Sequence, residues 1–221
     1  MTTRPDFSEL AATGIHELKN LVGELTLLLD GLQQDAPPAA RAQLASARFV
    51  CGRIRDRMAA LLTLYKLDGG HKAFALEAHS PADFLEDVAA ELVGVAGMRF
   101  EVRTEVSPDL PAFWFFDREL VRAALINAGH NALAHARGMV SLTAKTQDGW
   151  LVFSVADDGA GYSRALLEAD LSEPRRFATG SGLGLYFAQV AAAAHTHAGR
   201  QGYVQLANAA AGGAVFSLFL P

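Results

Sequence analysis

Two glycine clusters decide the fold of this chain: Gly180-Ser181-Gly182-Leu183-Gly184-Leu185 and, some twenty residues upstream, Asp157-Asp158-Gly159-Ala160-Gly161. Each cluster lies where a strand or loop leads into a helix. Glycine has no Cβ, so its backbone can approach a phosphate or a base closely. The first turn of a helix adds free N–H groups and the positive end of its dipole. One glycine-rich hexamer is a weak signal, but two close together predict a nucleotide site.

The composition restricts the class of protein. The chain has 221 residues, of which 51% are hydrophobic and 19% charged, and its formal net charge is -5. The negative charge argues against nucleic-acid binding, and no apolar run reaches the roughly 20 residues that span a bilayer. The N-terminus lacks a signal-peptide pattern, and the single Cys51 excludes an internal disulfide framework. We therefore expect a cytoplasmic protein without membrane insertion.

Residues 1–68 have the apolar repeat of long paired helices. Leu18, Leu25 and Leu32 recur every seven residues. Pro37 and Pro38 mark a turn, after which steps of three and four residues resume at Leu44, Ala47, Cys51, Ile54, Met58, Leu61 and Tyr65. The pattern predicts a helical hairpin. Because one hairpin cannot bury its seam well, we expect a homodimer in which two hairpins form a four-helix bundle.

Residues 69–221 alternate between strand and helix patterns without a regular βαβ repeat, which favours an α+β sandwich. The predicted helices are Pro81–Met98, with Ser80 as N-cap, Arg118–Ala136 and Leu183–His195. The predicted strands are Lys72–Ala78, Phe100–Val106, Phe113–Phe116, Val140–Thr146, Trp150–Ala156, Tyr203–Ala207 and Ala214–Leu220. A turn at Asp148-Gly149 joins the fourth and fifth of these strands.

His16 is a candidate for chemistry on the first long helix. His16 and Asn20 are four residues apart and share a face directed away from the leucine seam. The neighbouring Glu17 is placed to take the ring proton, leaving a nitrogen free to attack a phosphoryl group. The alternative is a solvated surface histidine, and nothing local excludes it.

Two asparagines on the Arg118–Ala136 helix also share a face, Asn127 and Asn131. A carboxamide oxygen suits Mg²⁺, and the amide NH₂ group can reach phosphate oxygens. Asparagine is a poor helix former, so two of them in an Ala- and Leu-rich helix favour a function over the alternative of ordinary surface residues.

Asp157 follows a predicted strand, where its carboxylate is a candidate acceptor for the exocyclic amine of adenine. Gly159 and Gly161 let the chain turn away beneath the base. The polar segment between Tyr162 and Thr179, with Arg164, Arg175 and Arg176, is a candidate lid over the phosphates. The alternatives are an ordinary strand-ending turn and a plain surface loop.

In chain order, the sequence shows HELKN, SPDLPAFWFFDRELVRAALINAGHNALAHA, DDGAG, GSGLGL and GGAVFSLFLP. These segments resemble the H, N, G1 and G2 boxes of two-component sensor histidine kinases, and the resemblance runs from about Phe7 to Pro221. It implies a dimerisation and histidine-phosphotransfer hairpin in residues 1–68 and a Bergerat-type, or GHKL, ATP-binding domain in residues 69–221.

The resemblance also implies site residues. His16 would accept the phosphoryl group, Glu17 would act as its acid–base neighbour, and Asn20 would orient water for dephosphorylating a partner regulator. Asn131 would ligate Mg²⁺ and Asn127 would support the triphosphate. Since Ala134 replaces the usual basic residue, His135 or the lid residue Arg176 would contact phosphate. Asp157 would bind adenine, and the remaining pocket and lid positions would be Gly159, Gly161, Gly180, Gly182, Leu183 and Gly184.

The implied activity is autophosphorylation of His16 from Mg-ATP and transfer to an aspartate of a response-regulator receiver domain, with dephosphorylation of the regulator as a further activity. Only about fifteen residues precede His16, so we expect the input to come from a separate protein or through the hairpin. The alternatives are a histidine phosphotransferase relay with a vestigial ATP domain, an anti-sigma type serine kinase and a non-catalytic dimerising module.

Overall fold

The computed structural model describes residues 7–68, 74–96, 99–173 and 182–221. The chain divides into two compact units, Met1–Ala73 and Phe74–Pro221. Among the described helices, none has the length and apolar character that crossing a bilayer requires. The elements are, in chain order, α1 (Phe7–Asp35), α2 (Pro38–Asp68), β1 (Glu77–His79), α3 (Pro81–Ala96), β2 (Glu101–Val106), β3 (Trp114–Phe116), α4 (Arg118–His135), β4 (Met139–Gln147), β5 (Trp150–Asp157), α5 (Arg164–Leu167), α6 (Leu183–Ala193), β6 (Thr196–His197), β7 (Arg200–Gln201), β8 (Tyr203–Asn208) and β9 (Ala214–Leu220).

The first unit consists of α1 and α2, which contact each other and are separated only by Ala36 and Pro37. Pro38 begins α2, a position where proline is favoured because the first helical N–H has no partner within the helix. An ion pair joins the two helices, with Arg48 Nε 2.7 Å from Asp30 Oδ1.

The leucines of the predicted seam stay exposed within one chain. Residues 15, 19, 22 and 26 are half-buried on α1, whereas Leu18, Leu25 and Leu32 expose 53%, 47% and 61% of their surface. A helix turns about 100° per residue, so the leucines lie to one side of the half-buried row. We name the exposed row the leucine stripe; its members are Leu18, Leu21, Leu25, Leu28 and Leu32.

The second unit is built on a five-stranded mixed sheet in the order β2-β4-β5-β9-β8. β2 pairs with β4 in parallel, and the other neighbours are antiparallel. Helices α3, α4 and α6 contact this sheet. Separate two-stranded pairs form between β1 and β3 and between β6 and β7. The predicted mixture of helices and strands in a layered sandwich is confirmed for this unit.

Side-chain alternation along the strands places the core on the helix side of the sheet. Leu142, Val155 and Phe216 form one buried cross-strand row, and Phe153 and Leu218 belong to the next. Three aromatic rings close the core where α3, β3 and β5 meet. The ring centroids of Phe84 and Phe116 are 5.0 Å apart and those of Phe84 and Phe153 are 5.3 Å apart, and these edge-to-face contacts are the favoured aromatic geometry.

Most predicted elements of this unit are present within a few residues, but the bounds of two are wrong and three short elements were not predicted. The strand predicted at Lys72–Ala78 is only Glu77–His79 in the described part. The last helix ends at Ala193 instead of His195. The elements that were not predicted are α5 and the two strands of the β6–β7 hairpin, whose two-residue turn places Ala198 and Gly199 at positive φ (47° and 76°). The turn predicted at Asp148-Gly149 is of the same kind, with φ of 51° and 72°.

Hydrogen bonds fix the starts of two helices. Ser80 Oγ accepts from the Asp83 N–H (3.3 Å), which confirms Ser80 as the N-cap of α3. Asp117, the N-cap of α4, accepts through Oδ1 from the Leu120 N–H (3.0 Å) and through Oδ2 from the Ala75 N–H (3.2 Å). Both contacts satisfy N–H groups that would otherwise lack partners.

His195 follows α6 and joins the end of that helix to the start of α4. Its Nε2 accepts from the Asp117 N–H (3.0 Å) and its Nδ1 lies 2.8 Å from the Ala191 carbonyl oxygen. Because Nε2 is an acceptor, Nδ1 carries the proton and donates. The side chain is only 2% exposed, and this burial lowers the pKa of His195 below its usual value.

We expect the stability of the second unit to fall as the pH drops below about 6.5. The folded state holds His195 neutral, so the unfolded state binds more protons below its own pKa. For one titrating group, the free energy of unfolding cannot change by more than about 1.4 kcal/mol per pH unit. Urea unfolding between about pH 7 and pH 5 should show a smaller pH slope for His195→Gln than for wild type. The exposed His197→Gln is the control, and equal slopes in all three proteins would contradict the assignment.

Candidate nucleotide site

The two asparagines of α4 lie side by side and meet the start of α6. Asn131 Nδ2 donates to Asn127 Oδ1 at 3.2 Å, so the carboxamide oxygen of Asn131 stays available for a ligand. Gly184 lies against Asn127, and a Cβ on Gly184 would collide with Asn127 Oδ1. The glycine therefore lets the first turn of α6 approach the asparagine face of α4 closely.

Asp157 ends β5 with its carboxylate on the helix side of the sheet, two residues after the buried Val155. Its Oδ1 accepts from the Gly159 N–H (2.8 Å) and from the Ala214 N–H (3.3 Å). Oδ2 accepts no hydrogen bond from the residues described. The side chain is thus fixed by two backbone donors on one oxygen while the other oxygen remains an open acceptor.

Two glycines are required around Asp157 for steric reasons. A Cβ on Gly159 would collide with the His135 carbonyl oxygen, and one on Gly213 would collide with the Asp157 carbonyl oxygen. Gly213 also has a φ of 98°, which favours glycine. The sequence indicated Gly159, whereas Gly213 lies far away in the chain and gave no local signal of this contact.

Asn208 is a further residue that holds the site. Its Oδ1 accepts from the Tyr162 N–H (2.7 Å) and its Nδ2 donates to the Tyr162 carbonyl (3.0 Å). The preceding Gly161 has a φ of 83° and sends the chain toward β8. Burial, with a smaller contribution from the Asp157 carboxylate, raises the pKa of Tyr162. Local sequence could not reveal this clamp, because 46 residues separate its partners.

Asp158 has a different environment from its neighbour Asp157. Its Oδ1 accepts from the Arg137 N–H (2.7 Å) and the Gly138 N–H (3.1 Å). These backbone donors, Gly138 foremost, lower the pKa of Asp158 below its usual value. Asp158 therefore fixes the connection between α4 and β4, and of the two aspartates Asp157 is the one with an oxygen available for a ligand.

The structure places the other predicted residues as follows. Gly182 precedes α6 with a φ of 64°, and Leu183, half-buried, is the first residue of that helix. His135 is exposed and ends α4. Gly180 and Arg176 lie outside the described residues. His16, Glu17 and Asn20 belong to α1 of the other unit, where all three are exposed.

Comparison with known proteins defines the class of the second unit. Residues 116–221 match the family of histidine kinase-, DNA gyrase B- and HSP90-like ATPases. Full-length ShkA in complex with AMPPNP has a similar structure, with a TM-score of 0.64 and 25% identity over 96% of this chain and 45% of that one. The second unit is therefore an ATPase domain of the GHKL type, which supports ATP binding.

Two relatives from Mycobacterium tuberculosis define the family. A protein named sensor histidine kinase component HK1 is 32% identical over 126 residues, covering 55% of this chain and 71% of that protein. A probable sensor histidine kinase HK is 29% identical over 188 residues, covering 83% of this chain but 46% of the relative. The chain belongs to the sensor histidine kinase family, and it spans about half the length of the second of these relatives.

Proposed function

We propose that the chain is a histidine kinase that binds Mg-ATP in residues 69–221 and phosphorylates His16 in residues 1–68. Asp157 carries this proposal, because its open Oδ2 is placed to accept a hydrogen bond from the exocyclic amine of adenine. Membership of the sensor histidine kinase family and the GHKL domain support the same assignment.

The asparagines of α4 fit the triphosphate end of this ligand. Asn127 orients Asn131 through their shared hydrogen bond, and the Asn131 oxygen is a hard donor of the kind that Mg²⁺ accepts. When bound, Mg²⁺ supplies charge neutralisation for the phosphates. In this proposal Gly159, Gly161 and Gly184 shape the pocket, and His135, Arg176, Gly180, Gly182 and Leu183 contribute to its phosphate side and lid.

The exposed imidazole of His16 is the proposed phosphoryl acceptor. A ring nitrogen forms a bond to the γ-phosphorus while the bond from that phosphorus to the β–γ bridging oxygen breaks, and ADP leaves. Glu17 accepts the proton from the ring. The phosphoryl group then passes to an aspartate on a response-regulator receiver domain, and Asn20 orients the water that later dephosphorylates the regulator. We infer that a separate sensor or input protein controls these steps.

A homodimer is the proposed assembly, and the leucine stripe is its proposed contact. Complete burial of a leucine side chain contributes about 1.5–3 kcal/mol. The stripe holds five leucines that are 47–67% exposed within one chain, so pairing two chains would add several kcal/mol. Two copies of α1 and α2 would then form a four-helix bundle.

We expect radiolabelled ATP to transfer an acid-labile label to the wild-type chain and no label above background to His16→Gln. The reason is that only the imidazole of His16 would form the phosphoramidate bond. His197→Gln, a matched change at another exposed histidine, should label like wild type. No label on wild type, or equal label on His16→Gln, would refute autophosphorylation at this residue.

Asp157→Asn should weaken ATP binding at least about tenfold. The carboxamide oxygen of the variant can replace Oδ1 in its bonds to the Gly159 and Ala214 N–H groups. Its NH₂ group then faces the adenine amine, and two donors cannot form a hydrogen bond with each other. Calorimetry with the full chain measures the loss, and Asp148→Asn, in the β4–β5 turn, is the control.

Absence of ATP binding by the wild-type chain at millimolar nucleotide would favour the phosphotransferase relay instead. If Asp157→Asn and wild type bind ATP with equal affinity, Asp157 does not recognise adenine.

Leu25→Glu should convert the dimer to a monomer in sedimentation velocity experiments, because it places a charge in the leucine stripe. Leu27→Glu is the matched control: Leu27 is 72% exposed on the same helix but lies outside the stripe, so this variant should remain dimeric. A monomeric wild type, or dimers of both variants, would contradict the proposed contact.

A further inference from the structure

The open face of the five-stranded sheet carries a continuous polar row. Side chains on this face alternate with those of the buried core. The row crosses all five strands through the register pairs, and its members are Glu105, Thr143, Ser154, Ser217 and Gln205. Ser154 and Ser217 share a hydrogen bond between their hydroxyl oxygens at 2.8 Å. A band of hydroxyl groups therefore runs across the middle of the face opposite the helices.

Small side chains turn part of this face into a cavity of about 470 Å³. Its floor includes Ser141, Thr143, Ser154 and Ser217 on the sheet, and Ser107, just after β2, also lines it. The Ser107 N–H donates to the Ala144 carbonyl (2.9 Å), which holds Ser107 against β4. The volume falls within the range of small-molecule sites, about 300–1,000 Å³. None of the residues proposed for ATP binding lines this sheet-face cavity.

One anionic and one cationic side chain line the same cavity. Glu105 on β2 and Lys145 on β4 are diagonal neighbours, because Glu105 lies opposite Thr143 and Lys145 follows Thr143 by two residues. They form no ion pair with each other or with any residue in the described ranges. The cavity thus offers a separate carboxylate and ammonium group beside a floor of hydroxyl donors and acceptors.

We propose that the sheet-face cavity binds a free α-amino acid. The ligand ammonium group would donate to Glu105, the ligand carboxylate would accept from Lys145, and the side chain of the ligand would lie over the hydroxyl floor. Charge complementarity favours this class of ligand, since a small zwitterion can pair with the Glu105 carboxylate and the Lys145 ammonium group at once. The site is separate from the proposed kinase chemistry and does not depend on it.

The experiment is saturation-transfer NMR on the full chain with each proteinogenic L-amino acid in turn at millimolar concentration. At least one should bind. Its N-acetyl and carboxamide derivatives, each lacking one charge, should bind at least about tenfold more weakly. Glu105→Gln and Lys145→Met should each lose affinity by the same order, and both residues are exposed, so the variants should fold.

Glu101→Gln is the matched control, because Glu101 is an exposed glutamate on the same strand and side as Glu105 but does not line the cavity. This variant should bind like wild type. The proposal is overturned if no amino acid binds, or if both cavity variants bind like wild type. If Lys145→Met loses binding while Glu105→Gln does not, the cavity is a site for anions, and the proposal is also overturned.

Discussion

Side-chain alternation along the five-stranded sheet is the constraint on which the rest of the second unit depends. Val155 faces the core, so Asp157, two residues later, comes out on the side that the helices cover. There the helix α4 presents Asn127 and Asn131. The same alternation sends Ser154 and Ser217 to the open face, so one sheet supports two chemically different surfaces. The carboxylate and the α4 helix that carries the carboxamides therefore lie on the same side of the sheet.

Close backbone approach is the second requirement of this site. Gly159 lies against the His135 carbonyl, Gly213 against the Asp157 carbonyl and Gly184 against the Asn127 side chain. Each contact joins segments that are distant in sequence, and each leaves room for hydrogen but not for a methyl group. The glycines therefore act through tertiary packing, in addition to any freedom they give to the loops.

Local chemistry made much of the fold and the site predictable. The strand alternation, the Ser80 cap and the Asp148-Gly149 turn depend on neighbouring residues, and the structure contains all three. Asp157 and the glycines near it stood out because their pattern is also local. The roles of these residues in binding ATP, like that of His16, remain predictions.

What the sequence could not show depends on contacts between distant segments. Asn208 clamps Tyr162 and His195 bonds to Asp117 across 78 residues. Local sequence also could not show that backbone N–H groups of Arg137 and Gly138 hold Asp158, the neighbour of Asp157. The leucine spacing indicated a repeat, but it did not show which side of α1 faces α2. These contacts arise only in the tertiary structure, and neither local propensity nor hydrophobic periodicity predicts them.

On β5 and β9, residues of the open face are next in sequence to residues that form the Asp157 site. A shift of either strand would therefore affect both faces of the sheet. Ala156, on the open face, directly precedes Asp157, and Val215 directly follows Ala214, whose N–H holds that carboxylate. A bulky replacement at Ala156 or Val215 that displaced either strand would also move the acceptor on the opposite face. Engineering of the exposed surface is therefore restricted to changes that leave both main chains in place.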